Sequence, residues 1–363
     1  MARQNARGDF AEVLDLVCDN NAPSPSTSPK RADVLRLIDH FLSEEHPWMG
    51  TPATQKALQK HGMQLGVDAP HLLHGIVAFS AAHIDHLEPN PKLRLTAVHH
   101  YGRLVELYAD HVKQMGTGTI DHLFGTCILL TMLSYLVVGY DNPSLLCSPE
   151  EHECNWEAFR SLGGVRIMQG VPAYRDRLNQ GVWRVMLQEA REWDERSKRD
   201  PMVTPTWWST IMKSLCDLCN VSQDLQHGDE LYLDALRGLN KTVYGSLDDT
   251  KIGQLMHYIA SFTPAFQRVL EQYDPKAMLI ILYWHSLLLL IGQWWAARTG
   301  IVAARRTIAY LWKVGGEDVK KMLVFPAALC GLDLASLDRL QQSQQVIPIT
   351  VSPFLEAQQT FLL

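Results

Sequence analysis

The strongest constraint on the fold is an uncharged apolar stretch, Ala277–Ala297, which reads AMLIILYWHSLLLLIGQWWAA. Its strongly polar side chains are Ser286, Gln293 and the titratable His285. A helix that is apolar on nearly every face is either buried at the centre of a large protein or spans a membrane. Arginines follow this stretch closely, and no other segment of the chain is as long and as apolar. Both observations favour burial inside a protein over a membrane span. We therefore expect a buried central helix over 277–297 and no membrane span.

The rest of the chain also carries helical periodicity. Apolar residues of the segment 34–42 recur at a spacing of 3.6 residues, Ala69–Leu87 is strongly apolar, and Lys92–Met115 is amphipathic. No believable run of alternating strand residues occurs. The pattern predicts an all-α fold, a large single-domain irregular helical array around the central helix. We expect this domain to cover residues 32–363, after a mobile N-terminal segment and Pro/Ser linker at 1–31.

Charge and cysteine usage limit the class of partner. Lys plus Arg number 33 against 39 Asp plus Glu, for a formal net charge of -6, and the basic residues form no run. A protein that binds nucleic acid usually carries a basic patch, so we expect no direct nucleic-acid binding. Seven cysteines without a framework pattern, and a polar N-terminus unlike a signal sequence, favour a reducing compartment. The expected location is cytoplasmic, or nuclear for a regulatory protein.

Motifs for common enzyme chemistries are missing. The glycines of Leu162–Val165 lack the lysine of a phosphate-binding loop, and no Gly-x-Ser-x-Gly elbow occurs. The Asp248–Asp249 pair lacks the third acid that a magnesium-dependent terpene cyclase needs. These absences favour a protein that uses no cofactor.

Several spacings would suit metal ligands but are incomplete. Cys216 and Cys219 share one side of a helix, and pairs of histidines lie one helical turn apart at His71/His74 and His83/His86. No further ligand accompanies any pair at a suitable spacing. We expect no metal site, and we interpret the cysteines as core residues and the histidines as residues of helix ends or pocket walls.

Aromatic residues occur in adjacent pairs, at 207–208, 283–284 and 294–295. Large rings dominate the burial of apolar surface, so core packing explains them. A large apolar cavity with a few polar tips, the usual form of a small-molecule site, explains them equally. Because an unpaired buried imidazole is costly, His285 is either a satisfied core histidine or a hydrogen-bond donor to a pocket.

Three stretches together resemble the middle homology region of fungal zinc-binuclear-cluster transcription factors of the sterol-uptake-control type. They are His71–His83 with the Tyr101 helix that follows, Asn155–Arg166, and the central helix with Trp294–Trp295 and the later Val324–Pro326. The resemblance covers roughly residues 32–335. It implies an all-α ligand-binding fold whose cavity accepts sterol-like hydrophobic molecules.

The chain departs from that family at its N-terminus. Family members carry a six-cysteine zinc cluster before this region, whereas here Cys18 alone precedes Cys127. The given sequence therefore lacks the DNA-reading module of that family, and we expect no direct promoter binding.

Two functions from different classes follow. In the first, the chain is a stand-alone secondary-metabolism protein that binds a hydrophobic terpenoid or polyketide-like molecule. It would catalyse a cofactor-free cyclisation of the pericyclase type by holding a flexible substrate in a reactive conformer. In the second, it is a ligand-sensing transcriptional regulator that acts without its own DNA-binding finger. A scaffold without a ligand is the plainest alternative, and the oligomeric state does not follow from the sequence.

The first function assigns roles to particular side chains. His285 and Tyr283 are the candidate catalytic donors. The candidate ligand-binding residues are His83, Phe79, Tyr135, Trp284, Leu288 and Trp294.

Overall fold

A computed structural model describes residues 14, 17–18, 31–43, 51–137, 164–199, 204–245, 247–248 and 251–337. The predicted linker at 1–31 and the Asn155–Arg166 motif lie largely outside these ranges. By their internal contacts the residues divide into two compact units, and the division falls between Glu189 and Ala190 and at two points outside the described residues. The prediction of one domain over 32–363 stays a prediction.

The described residues form helices with no strand, which confirms the all-α class. Their nearest approach to β structure is an isolated antiparallel bridge between Val221 and Gly228. Unit 1 contains α1 Arg31–Leu42, α2 Pro52–Asp68, α3 Pro70–Leu87, α4 Pro91–Val112, α5 Ile120–Val137, α6 Pro172–Gln180 and the first part of α7 Arg184–Arg199. Unit 2 contains the rest of α7, then α8 Thr206–Cys219, α9 Glu230–Thr242, α10 Ile252–Ala260, α11 Pro264–Glu271, α12 Pro275–Ile291, α13 Trp294–Val314, α14 Glu317–Met322 and α15 Val324–Leu329.

Proline marks the start of many helices. It occupies the first turn of α2, α3, α4, α6, α11 and α12, where its missing N–H removes no helical hydrogen bond. Polar caps complete several of these starts, since Thr51, Thr263 and Asp274 each accept a hydrogen bond from a first-turn amide. The boundaries of these helices therefore follow from local sequence.

The apolar stretch 277–297 is two helices rather than the single helix that we predicted. Helix α12 ends at Ile291, Gly292 takes the left-handed conformation (φ 75°), and α13 begins at Trp294. A glycine without a Cβ reaches this conformation at little cost, and it closes the last turn of α12. Helix α12 is nonetheless buried along nearly its whole length, with α8, α9, α10, α11, α13 and α15 packed around it. The core role that we predicted for it is confirmed, and only its end was wrong.

No single helix among the described residues is both long and apolar enough to cross a bilayer. Helices α11 and α12 pass such a test only when they are taken together, and their axes are bent by 99° at the break between them.

In unit 1 the equivalent central helix is α3, which is buried from His71 to His83 and packs against α1, α2, α4 and α5. On α5, Gly125 lets the ring of Trp183 lie against the helix backbone. The indole Nε1 donates a hydrogen bond to the Asp121 carbonyl at 3.0 Å, and the side chain has no exposed surface. This contact anchors the start of α7 in unit 1.

Replacing Gly125 by alanine should destabilise the protein by about 1–3 kcal/mol, because the new Cβ would lie 2.6 Å from Cζ2 of Trp183. Gly102→Ala on α4 is the matched control. No side chain lies within 4 Å of its Cβ position, so it should stabilise by about 0.5–1 kcal/mol through helix propensity alone. Urea denaturation of both variants measures the difference. Equal stability of the two would show that Trp183 does not pack as described.

Candidate functional site

The predicted site residues fall in both units. Phe79 and His83 lie on α3, and Tyr135 lies on α5, all in unit 1. The remaining five belong to unit 2: Tyr283, Trp284, His285 and Leu288 on α12, and Trp294 as the first residue of α13.

In unit 2, the polar tips of the α12 residues are bonded to the main chain. The Tyr283 hydroxyl donates to the Met322 carbonyl at 2.8 Å, and Trp284 Nε1 donates to the Leu255 carbonyl at 3.0 Å. His285 Nδ1 lies 3.1 Å from the carbonyl oxygen of Ile281, one turn earlier. All three side chains are buried. The bonds of Tyr283 and Trp284 connect α12 to neighbouring helices, whereas that of His285 lies within α12. The roles that we predicted for the three side chains stay predictions.

Burial determines the protonation of these groups. It lowers the pKa of His285 to about 4, although the bond to the Ile281 carbonyl opposes this effect. It also raises the pKa of Tyr283 far above neutrality. Both side chains are therefore uncharged at neutral pH, as hydrogen-bond donors and acceptors in an apolar core must be.

In unit 1, the predicted residues are core residues as well. Phe79 and Tyr135 are buried, and His83 Nδ1 lies 2.9 Å from Nε2 of His40 on α1. His83 thus connects α3 with α1.

The described part of unit 2 has a cleft of about 310 Å³ that the sequence did not reveal. It lies among the end of α7, helices α9 and α10, and the start of α11. None of the eight predicted site residues lines it. The lining residues on which its chemistry depends are Trp193, Asp194, Lys241, Gln254, His257 and Tyr258.

Aromatic rings form one wall of the cleft. The rings of Tyr258 and Phe262 meet edge to face at 4.8 Å, and Phe262 meets Phe266 in the same way at the same distance. Gly238 on α9 allows the Tyr258 ring to approach, because a Cβ at this position would lie 2.7 Å from the ring. Edge-to-face stacking gives such a wall a rigid apolar surface.

Three side chains of the cleft carry polar atoms that are shielded from solvent and have no hydrogen-bond partner among the described residues. These atoms are Trp193 Nε1, Gln254 Oε1 and the Tyr258 hydroxyl. Gln254 and Tyr258 lie four residues apart and so share one face of α10. An unsatisfied buried polar group costs about 1–3 kcal/mol, so this concentration beside a cleft is unusual for a purely structural site.

Charged groups lie around the same cleft. Lys241 Nζ is 3.5 Å from an Asp194 carboxylate oxygen, with both side chains half-exposed. The guanidinium group of Arg237 donates hydrogen bonds to the main-chain oxygens of Leu225 and Gln226. Desolvation lowers the pKa of His257, an effect that Asp194 opposes and Lys241 reinforces. The imidazole is therefore neutral at pH 7 and can donate or accept one hydrogen bond.

Sequence reasoning missed this cleft, although two signals pointed towards it. Trp193 is a large ring within the strongly charged segment of α7. Gln254 and Tyr258 have the spacing of one helical face. The remaining lining residues come from α9 and α11, and no local pattern relates them to α10.

No group of three or more His, Cys, Asp or Glu side chains among the described residues is arranged to hold a metal ion. Cys216 and Cys219 are buried, and burial raises their pKa values to about 11 and about 12. Both are therefore neutral thiols at physiological pH.

The chain matches no model of a known protein family, and comparison with characterised proteins also gave no match. The resemblance to the fungal transcription-factor region stays a prediction from the motifs themselves.

A matched pair of tyrosine variants can test whether the Tyr258 hydroxyl at the cleft lacks a hydrogen-bond partner. Tyr258→Phe removes a buried hydroxyl without a described partner, so stability should stay unchanged or rise by about 1 kcal/mol. Tyr283→Phe removes the hydrogen bond to Met322 and should cost about 1–3 kcal/mol. Chemical denaturation gives both values. A loss for Tyr258→Phe as large as that for Tyr283→Phe would mean that the Tyr258 hydroxyl is already bonded.

Proposed function

We propose that this chain binds a small, oxygen-bearing lipophilic molecule in the cleft of unit 2. The observation that carries the proposal is the concentration of unpartnered polar atoms on Trp193, Gln254 and Tyr258 beside an aromatic wall. A lipophilic body would cover the rings of Tyr258, Phe262 and Phe266. Its oxygen atoms would satisfy the buried polar groups once small side-chain rotations turn these groups towards the cleft.

The size of the cleft suits such an occupant. Small-molecule sites generally measure about 300–1,000 Å³ and combine apolar walls with a few polar groups that set orientation. A volume of about 310 Å³ corresponds to the small end of that range. It favours a compact molecule over a large polycyclic one.

The polar groups define the chemistry of the ligand. Trp193 Nε1 can only donate a hydrogen bond, Gln254 Oε1 can only accept one, and the Tyr258 hydroxyl can do both. A ligand with one carbonyl or ether oxygen and one hydroxyl group would therefore complement all three. Oxygenated terpenoids and polyketides have this chemistry, so the ligand class expected from sequence is narrowed to its oxygenated members.

Two uses of the bound molecule follow from the sequence and belong to the same proposal. A cofactor-free cyclase would hold a flexible substrate in a reactive conformer, which can lower a barrier by up to roughly 7–11 kcal/mol. A sensor would bind an effector and shift a conformational equilibrium. Chromatography with mass spectrometry separates them. The cyclase returns an isomer of identical mass at a new retention time, whereas the sensor returns its ligand unchanged.

Binding can be tested by calorimetry with a panel of small oxygenated terpenoids and polyketides, each paired with its deoxygenated parent. The oxygenated compounds should bind, and their parents should bind about 10-fold or more weakly, because the buried polar atoms then stay unpaired. Tyr258→Phe and Trp193→Phe should each weaken binding about 5–10-fold.

Leu236→Val is a matched control in this assay, because Leu236 is a buried residue of α9 that does not line the cleft. It should lower stability slightly and leave affinity unchanged. The proposal fails if no compound binds. It fails equally if the oxygenated compounds and their parents bind with the same affinity, or if Tyr258→Phe binds as tightly as the parent protein.

A further inference from the structure

Helix α3 of unit 1 contacts its neighbours through pairs of imidazole rings. His83 Nδ1 lies 2.9 Å from Nε2 of His40 on α1, and His74 Nδ1 lies 2.7 Å from Nδ1 of His100 on α4. His71 packs against His111 of α4 with ring centroids 4.6 Å apart. Three of the rings on α3 therefore lie at interfaces with other helices.

Each of these contacts depends on a neutral ring. A hydrogen bond between two imidazole nitrogens contains one proton, so one nitrogen must donate it and the other must accept it. When both rings are protonated, both nitrogens are donors and the bond is replaced by repulsion between two cations. The contact between His71 and His111 also becomes repulsive when both rings are protonated, because two adjacent imidazolium ions repel each other.

The burial of these rings makes protonation costly. His100 has no exposed surface, His74 is 1% exposed and His71 is 2% exposed. The Nε2 atoms of His71 and His100 have no hydrogen-bond partner among the described residues, so a proton placed there would be both buried and unpaired. Burial, reinforced by the neighbouring imidazoles, lowers the pKa of His71 to about 3 and that of His100 well below its ordinary value.

The charged groups around the cluster offer little compensation. The carboxylate of Asp121 on α5 is paired with Arg177 of α6 at 2.8 Å, and Asp85 on α3 is paired with Arg94 of α4 at 3.2 Å. The other titratable or charged groups that face the cluster are His61 and Asp68 of α2, His99, Arg103 and Tyr108 of α4, and His122 and Cys127 of α5. Burial lowers the pKa of His122, an effect that Asp68 and Asp121 oppose, whereas the neighbours acting on His71 are other histidines, which reinforce the effect of burial.

We propose that the imidazole contacts of α3 make unit 1 a proton-sensitive element, in which acidification releases α3 from α1 and α4. The release requires no ligand. It is reversible, because it breaks no covalent bond.

The direction of the pH dependence follows from proton linkage. His71 and His100 have lower pKa values in the folded state than the ordinary 6.5, so the unfolded chain binds more protons once the pH falls below that value. Stability is therefore complete above about pH 6.5 and declines as the pH falls from there towards about 3. Each such histidine increases the opening constant about 10-fold per pH unit within that window.

Hydrogen–deuterium exchange of the full chain tests the proposal at pH 7, 6, 5 and 4.5, with exchange times scaled to the intrinsic rate and a chelator present throughout. Amide protection in α3 and α4 should fall at least about 10-fold per pH unit below pH 6. His71→Phe should reduce that pH dependence by about 10-fold per pH unit, because the ring no longer takes up a proton. His71→Gln should reduce the pH dependence equally, and it replaces His71→Phe if the larger phenylalanine ring prevents folding.

His227→Gln is the matched control, because His227 is exposed in the loop between α8 and α9. Amide protection in this variant should depend on pH as strongly as in the parent protein. The proposal is overturned if protection in α3 does not change between pH 6.5 and 4.5. It is also overturned if the His71 variants retain the full pH dependence of the parent.

Discussion

The structure depends on the cost of burying polar atoms within apolar helices. Helices α3 and α12 are each surrounded by other helices of their own unit, so any polar side chain on them must find a partner inside the protein. On α12, Tyr283 and Trp284 bond to the carbonyl oxygens of Met322 and Leu255. These bonds tie the central helix of unit 2 to α14 and α10, and they make the core specific as well as apolar.

Helix α3 meets the same requirement in a different way, and only in part. His74 and His83 pair with histidines on neighbouring helices, whereas Nε2 of His71 has no hydrogen-bond partner among the described residues. An imidazole pair keeps its hydrogen bond only while at least one of the two rings is neutral, whereas a hydroxyl bonded to a carbonyl is insensitive to pH over the physiological range. The two units therefore solve one physical problem with chemistries that respond differently to protons.

The cleft of unit 2 also holds polar atoms that do not meet this requirement. Trp193, Gln254 and Tyr258 hold polar atoms away from water without described partners, next to stacked aromatic rings. Cores generally avoid such atoms, and sites that exchange a ligand for water tolerate them because the ligand completes the bonding. This contrast between satisfied tips on α12 and unsatisfied ones at the cleft is the reason for placing the candidate site there.

Local sequence predicted the helices well where it dictates backbone geometry. The prolines at helix starts and the uninterrupted apolar run of α12 are local features, so the all-α class and the burial of α12 could be expected. The end of α12 was missed because the apolar pattern continues through Gly292, and the left-handed turn there has no hydrophobic signature. Five of the eight candidate site residues were chosen from the apolar run 277–297 and the other three from apolar helices of unit 1, and an apolar pattern says nothing about which side of a helix faces a cavity.

The sequence by itself determined the helical class, many helix starts and the identity of the helix at the centre of unit 2, because these depend on neighbours a few residues apart. Only the tertiary structure decided which polar atoms would be satisfied. Trp193 and Tyr258 line one cleft although 65 positions separate them, and His74 meets His100 across a helix interface. Hydrogen bonding is short-ranged in space but unrestricted in sequence, so the partner of a buried polar atom is known only once the chain has folded.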